Sequence, residues 1–185
     1  MIAQGVAGPG RGVQNGGMRV RMVRVAELAV LQDIERAAGR WFFEVGMAEI
    51  AEDEPLSVGE LTAFVEAGLA WVAVDGEDRP VGYLIAERVD DALHVEQVSV
   101  HPDAARRGVG RELLEHAARV AVEQGLPALT LTTFAEVPWN APYYGRCGFV
   151  PVPEADLGPE LREVRAREAA AGLDRWPRLA MRRTL

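Results

Sequence analysis

A chain of 185 residues, 49% of them hydrophobic, is long enough for one domain with a sizeable core; its 28 acidic against 20 basic side chains leave a net charge of -8 at pH 7. That balance argues against a nucleic-acid partner, because neutralising a phosphate backbone takes a net basic face. A single cysteine excludes a disulfide framework, no apolar run approaches the roughly 20 residues of a membrane span, and no basic-then-apolar leader opens the sequence; a cytoplasmic protein without membrane contact is the expectation.

Residues 1–18 hold six glycines and no periodicity, which predicts a flexible tail ahead of a single domain over 19–185. Alternation from Arg19 to Val25 predicts a half-buried strand, and Leu28, Leu31, Ile34 and Ala38 form one stripe of a helix over 27–41. Ser57 and Glu60 make a capping box for a second helix that ends at Gly68. Strands are expected at 69–74 and 81–89, joined by a turn at Asp75-Gly76-Glu77-Asp78, and a third at 93–100 follows the Asp90-Asp91 turn. A helix over 109–124 buries Leu113, Leu114, Ala117 and Ala121 and is stopped by Gly125 and Pro127. A strand at 128–133, a short helix at 140–146, a strand at 149–152, a helix at 160–171 and a strand at 178–183 complete an α/β pattern.

The most informative stretch is Val98-Ser99-Val100-His101-Pro102 followed by Arg106-Arg107-Gly108-Val109-Gly110-Arg111. A strand that breaks at a proline, crosses a basic glycine-rich turn and continues as a helix builds an anion cradle, with amides and the positive helix end directed at phosphate oxygens. The loop lacks the third glycine of a dinucleotide fingerprint, since Leu113 stands there, and it lacks the Gly-Lys-Ser/Thr of a P-loop. A pyrophosphate ligand of another kind is the expectation.

The loop resembles the coenzyme-binding motif of the Gcn5-related N-acetyltransferase family, Gln/Arg-x-x-Gly-x-Gly/Ala, with glycines at Gly108 and Gly110 and with Ala105, flanked by Arg106 and Arg107, at the Gln/Arg position. Asn140-Ala141-Pro142-Tyr143-Tyr144-Gly145-Arg146-Cys147-Gly148-Phe149 is similar to the same family's Asn, then Phe/Tyr-Tyr-x-x-x-Gly-Phe signature. The resemblance covers roughly residues 19–152. It implies a GNAT-like fold, a central mixed and mostly antiparallel sheet flanked by helices, and acetyl-coenzyme A as co-substrate bound by Val98, Ser99, Val100, Arg106, Arg107, Gly108, Val109, Gly110, Arg111, Asn140 and Tyr144.

Acetyl transfer to an amine needs a base, since an alkylamine with a pKa near ~10 is almost wholly protonated at neutral pH. Glu96 is the first candidate, by resemblance to family members that acetylate polyamines and because burial in an apolar strand raises a carboxylate toward a useful value. His94, two residues earlier and on the same strand face by alternation, competes for the role or is an ordinary hydrogen-bonded surface histidine. The resemblance makes Tyr144 the acid that protonates the thiolate, with Tyr143 a packing residue, and it assigns the carbonyl oxygen to amides at Val98–Val100. Asn140 holds the pantetheine arm or caps its own short helix, capping being the plainer reading. Cys147, with no histidine nearby in sequence, reads as a small buried hydrophobe, and the three histidines show no metal-ligand spacing.

Trp41-Phe42-Phe43-Glu44 and the carboxylates Glu49, Glu52, Asp53 and Glu54, together with Trp139, are expected over the acceptor site, where they would hold a small cationic amine, or form a solvated acidic loop beside core aromatics. Alternative acceptors are a protein N-terminus or lysine, or an antibiotic amine. Alternative roles are a non-catalytic acyl-coenzyme A sensor and an interaction module that binds no coenzyme. The helix at 160–171 closes the pocket or forms a homodimer contact.

Overall fold

The computed structural model describes residues 18–185, so the tail expected over 1–18 lies, apart from Met18, outside the described residues. Strand β1 (Arg19–Met22) leads through a short 3-10 turn into helix α1 (Leu28–Gly39). The apolar stripe places Leu28, Leu31 and Ile34 in the core and carries Glu35 in with them. The helix expected to reach Trp41 ends at Gly39 and tightens into a 3-10 segment, Arg40–Val45, that stops where Gly46 turns left-handed (φ 73°). A single-turn helix, α2 (Ala48–Ala51), follows in a region with no sequence signal for it. Helix α3 (Val58–Glu66) opens on the expected capping box: the Glu60 amide donates to Ser57 Oγ at 3.3 Å and the Ser57 amide to Glu60 Oε2 at 2.9 Å.

Strands β2 (Ala70–Val74), β3 (Pro80–Val89) and β4 (Ala92–Val100) form the expected meander. Then come α4 (Val109–Glu123), β5 (Ala128–Phe134), α5 (Ala141–Arg146), β6 (Val150–Val152), α6 (Pro159–Ala170) and β7 (Arg178–Thr184). They make one seven-stranded sheet in the order β1-β2-β3-β4-β5-β7-β6, in which β4 and β5 are parallel and every other neighbouring pair is antiparallel.

Two irregularities position the site. The parallel pairing of β4 with β5 consists of Leu93 opposite Leu129 and His94 opposite Thr130. Beyond that point β4 continues on β3 and β5 continues on β7, so the sheet opens into a wedge. At the same place β4 bulges: Ile85 lies opposite Gln97 and Ala86 opposite Val95, leaving Glu96 as the extra residue.

The two faces of the sheet are covered differently. On one, α4 packs Leu113, Leu114 and Ala117 against Leu93, Val95 and Val98. On the other, α1 and α3 cover Val72, Tyr83 and Ile85, while α6 places Leu161 and Val164 against Val89 and Ala180. Among the described residues no helix is long and apolar enough to cross a membrane.

Candidate active site

The turn between β4 and α4 presents backbone amides. His101 caps a 3-10 turn, Pro102–Ala104, by accepting the Asp103 amide on Nδ1 at 3.3 Å. The chain then turns left-handed twice, at Arg106 (φ 64°) and at Gly108 (φ 80°). Gly108 adopts that backbone without Cβ strain, whereas Arg106 does so at a cost of about 1 kcal/mol. Gly108 is the N-cap of α4 and offers no side chain to cap it; the first helical bond runs from the Glu112 amide to the Gly108 carbonyl at 3.0 Å. The amides of Val109, Gly110 and Arg111 therefore have no helical carbonyl to meet, and they face out of the positive end of a 15-residue helix. Arg106, Arg107 and Arg111 stand exposed around this end. Gly82 on β3 lets sheet and helix approach closely, since a Cβ there would meet Ser99 O and Val109 Cγ1 at 3.0 Å.

The wedge supplies further donors. The His101 amide bonds Val81 O at 2.9 Å, so by the two-residue alternation of an antiparallel pair the Ser99 amide also turns toward β3, while those of Val98 and Val100 turn toward the wedge. The expectation of three free amides at Val98–Val100 is thereby corrected: Ser99 is committed to the ladder. Its hydroxyl instead accepts from Gln97 Nε2 at 2.9 Å.

Beside these amides, on the face away from α4, lies a buried polar strip. Glu96 projects from the bulge with its side chain 14% exposed, and burial raises its carboxyl above the ordinary glutamate range. His94 is not the surface histidine that was one expectation for it. It is buried, its Nδ1 lies 3.0 Å from Thr130 Oγ1, and burial pushes its imidazole down to about 4. Its Nε2 is 3.9 Å from Glu96 Oε2, a contact in which the ring is neutral at pH 7. Tyr83 OH donates to Glu35 Oε2 at 2.6 Å, and burial raises the Glu35 carboxyl as it does Glu96. Glu35 was absent from the sequence reading although a signal existed, since it falls four residues after Leu31, on the stripe that enters the core.

On the α4 face, the Asn140 carbonyl accepts from the Tyr143 and Tyr144 amides and starts α5, but the Asn140 side chain makes no capping bond, which corrects the capping expectation. Tyr144 is fully buried, edge-on to Tyr143 (5.5 Å) and Phe149 (5.8 Å), and its hydroxyl has no hydrogen-bond partner among the described residues. Burial raises its phenol well above the usual value, so it is protonated at any physiological pH. Cys147 is a buried free thiol that burial raises, in keeping with a packing role.

The expected acceptor segment divides. Phe42 and Trp139 are core residues, edge-on at 5.8 Å, and Phe42 meets Phe134 at 5.7 Å. The carboxylates do not converge: Glu49 pairs with Arg175, Glu54 lies 3.7 Å from Arg36, and Glu44, Glu52 and Asp53 are exposed. Below this segment is a cavity of about 240 Å³ walled by Met47, Phe134, Glu136, Val137, Trp176 and Pro177. Helix α6 buries Glu168, whose carboxylate receives the Thr132 hydroxyl, Arg178 Nη2 at 2.7 Å and Arg165 Nη1 at 2.7 Å. Glu168 shares the stripe of Leu161 and Val164, and that spacing would have revealed it.

The profile of the acetyltransferase (GNAT) family matches residues 29–149, well over half of the chain. The chain belongs to the GNAT acetyltransferase family. It is 31% identical over 87 residues to the peptidyl-lysine N-acetyltransferase YjaB of Escherichia coli K12, an alignment covering 47% of this chain and 53% of that protein, so it spans about half the length of the curated relatives it matches. A GNAT-family acetyltransferase from Staphylococcus aureus Mu50 superposes with a TM-score of 0.72 at 14% identity over 91% of this chain and 99% of that one. The PaiA N-acetyltransferase of Thermoplasma acidophilum, solved in complex with coenzyme A, gives 0.65 at 13% identity over 92% and 100%. At such identities the likeness shows the fold, and the mixed sheet flanked by helices is the GNAT fold that the sequence led us to expect.

Proposed function

We propose that this GNAT protein transfers an acetyl group from acetyl-coenzyme A directly to a primary amine of a small molecule that arrives as its ammonium ion. The observation that carries the reading is the wedge between β4 and β5, with Val98 and Val100 amides on its wall and the Glu96 carboxylate at its bulge. The coenzyme fits the residues present: the pyrophosphate would lie on the amides of Val109, Gly110 and Arg111 within the positive field of Arg106, Arg107 and Arg111, and the thioester carbonyl would receive an amide from the wedge.

Glu96 takes a proton from the ammonium ion, for which its raised affinity for protons suits it. The neutral nitrogen forms its bond to the acetyl carbon, the carbon–sulfur bond breaks, and Tyr144, which is protonated and has no partner among the described residues, gives its proton to the departing thiolate; the nitrogen, cationic after its attack, sheds its second proton to water as the amide forms, and Tyr144 is reprotonated from solvent. His94 is the weaker base, because a group near 4 binds a proton feebly at neutral pH. Two buried carboxylates, Glu35 and Glu96, favour an acceptor that enters as a cation.

A second reading, a lysine side chain on a peptide, rests on the likeness to the peptidyl-lysine enzyme YjaB. The test is thiol release from acetyl-coenzyme A with a panel of small amines and lysine peptides, alongside calorimetry of coenzyme binding. Turnover on small amines is expected. Coenzyme binding without turnover on any acceptor would mean a sensor, and no heat with the coenzyme would end the reading altogether.

A further inference from the structure

Arg178 is built in a way that its visible partners do not account for. It opens β7, its side chain is fully buried, and its guanidinium lies 4.7 Å over the ring of Phe134. Nη2 donates to Glu168 at 2.7 Å and to Thr132 Oγ1 at 3.2 Å. Nε and Nη1, which carry three N–H bonds between them, meet no acceptor among the described residues. A guanidinium stays charged even when buried, and each buried donor without an acceptor costs stability.

Neutralising Glu168 does not explain Arg178, because Arg165 already serves that carboxylate through Oε2 at 2.7 Å. Two arginines therefore share one buried carboxylate, and Asp174, half exposed, pairs directly with Arg165 and acts on Arg178 only through space. Counted with Asp174 the cluster is neutral, so what it offers a ligand is the open donors of the Arg178 guanidinium.

Its position connects it to the proposed reaction. Arg178 touches Thr132; Thr130, two residues earlier on β5 and on the same face, touches His94; His94 touches Glu96. Two strand residues span about 7 Å, so the guanidinium stands one strand-step beyond His94, as Glu96 does, but on the opposite wall of the wedge. A cavity of about 240 Å³ lies next to it, walled by Phe134, the ring beneath the guanidinium, by Trp176 and Pro177, the two residues before Arg178, and by Glu136, while Arg178 itself does not line it.

We infer that Arg178 anchors a carboxylate of the acceptor, so that the molecule acetylated carries an anionic group as well as a primary amine: a compound of amino-acid type. The inference rests on the amine-acetylating reading above. A carboxylate fits better than a phosphate, because the open donors belong to one guanidinium and a dianion would be repelled more strongly than a monoanion by Glu168 and Glu136 nearby. The planar donors of arginine suit a carboxylate oxygen better than a point charge would.

The experiment compares amines that differ only in the carboxylate: lysine with 1,5-diaminopentane, 4-aminobutyrate with butylamine, and an amino acid with its amide. Wild-type protein is expected to prefer the carboxylate-bearing member at least tenfold in kcat/KM, chiefly through KM. In Arg178→Met the preference disappears, and in Arg178→Lys it is partly kept, with coenzyme affinity unchanged in both. Should the variants fail to fold, the wild-type pairs decide alone, and equal turnover of both members overturns the inference while leaving the amine reading intact. If no amine is turned over although the coenzyme binds, that reading fails instead. Thermal stabilisation of the coenzyme complex by 4-aminobutyrate but not by butylamine would then still uphold the carboxylate site. Equal or absent stabilisation would mean that water alone satisfies the donors, and would overturn it.

Discussion

Where β4 and β5 face α4, the side chains are Leu93, Val95, Val98, Leu129 and Leu131, packed on Leu113, Leu114 and Ala117. Where the same strands face away, they present His94, Gln97, Ser99, Thr130 and Thr132, with Glu35 and Glu168 brought in from helices on either side. The first side is an ordinary apolar core that holds α4, and hence the coenzyme cradle, at a fixed distance from the sheet. The second side buries polar groups that cost stability unless each is matched, and several are not, including Gln97 Oε1 and the open nitrogens of Arg178. The reading proposed above assigns the unmatched groups of this strip to the acceptor, and on the α4 side the comparable unmatched group is the Tyr144 hydroxyl.

The sharpest way to break this contrast is Glu96→Gln, for which turnover should fall by about 10²–10⁴ with coenzyme affinity unchanged by calorimetry. The pH dependence sharpens it further. A base must be ionised, and burial raises the Glu96 carboxyl, so kcat/KM should decline on the acid side at a pH above the ordinary glutamate value near ~4.3, and this limb should vanish in the variant. Tyr144→Phe should lower kcat by about 10²-fold while the protein melts as before, because no protein partner of the hydroxyl is lost.

Gly82→Ala tests the apolar side, since its Cβ would push on Ser99 O and on Val109 at the start of α4. Coenzyme Kd should rise roughly tenfold, equivalent to ~1.4 kcal/mol, with the pH profile unmoved. The smallest effect belongs to Glu35. Its raised carboxyl binds its proton more tightly folded than unfolded, so the stability it contributes is full below the unfolded pKa and is lost as pH rises through the folded one. Glu35→Gln should therefore raise Tm at neutral pH by a few degrees, about 2–4 °C per kcal/mol, and leave it unchanged in acid.

The coenzyme half was legible because its determinants are local. The break at Pro102, Gly108 and Gly110, the Ser57 capping box and the Asn140–Phe149 signature each act within about ten residues, and every strand of the sheet was expected to within a few positions. Local signals could not give the strand order, in which β7 enters between β5 and β6, nor the bulge at Glu96, which depends on how β3 meets β4. The acceptor half escaped for the same reason. Tyr83 with Glu35 and Arg178 with Thr132 are partners separated by 48 and 46 positions, and neither pair announces itself in sequence. The commitment of the Ser99 amide to β3 likewise follows from ladder phase and not from residue type.

The insertion of β7 also sets an order of assembly. As the chain emerges from a ribosome, β5 can dock on β4, but its outer edge has to wait for residues 178–184, and β6, although made earlier, has no neighbour until then. Until residues 178–184 are made, β5 and β6 each lack the neighbour they share, and the arginine at the head of that strand reaches the wedge only when it pairs.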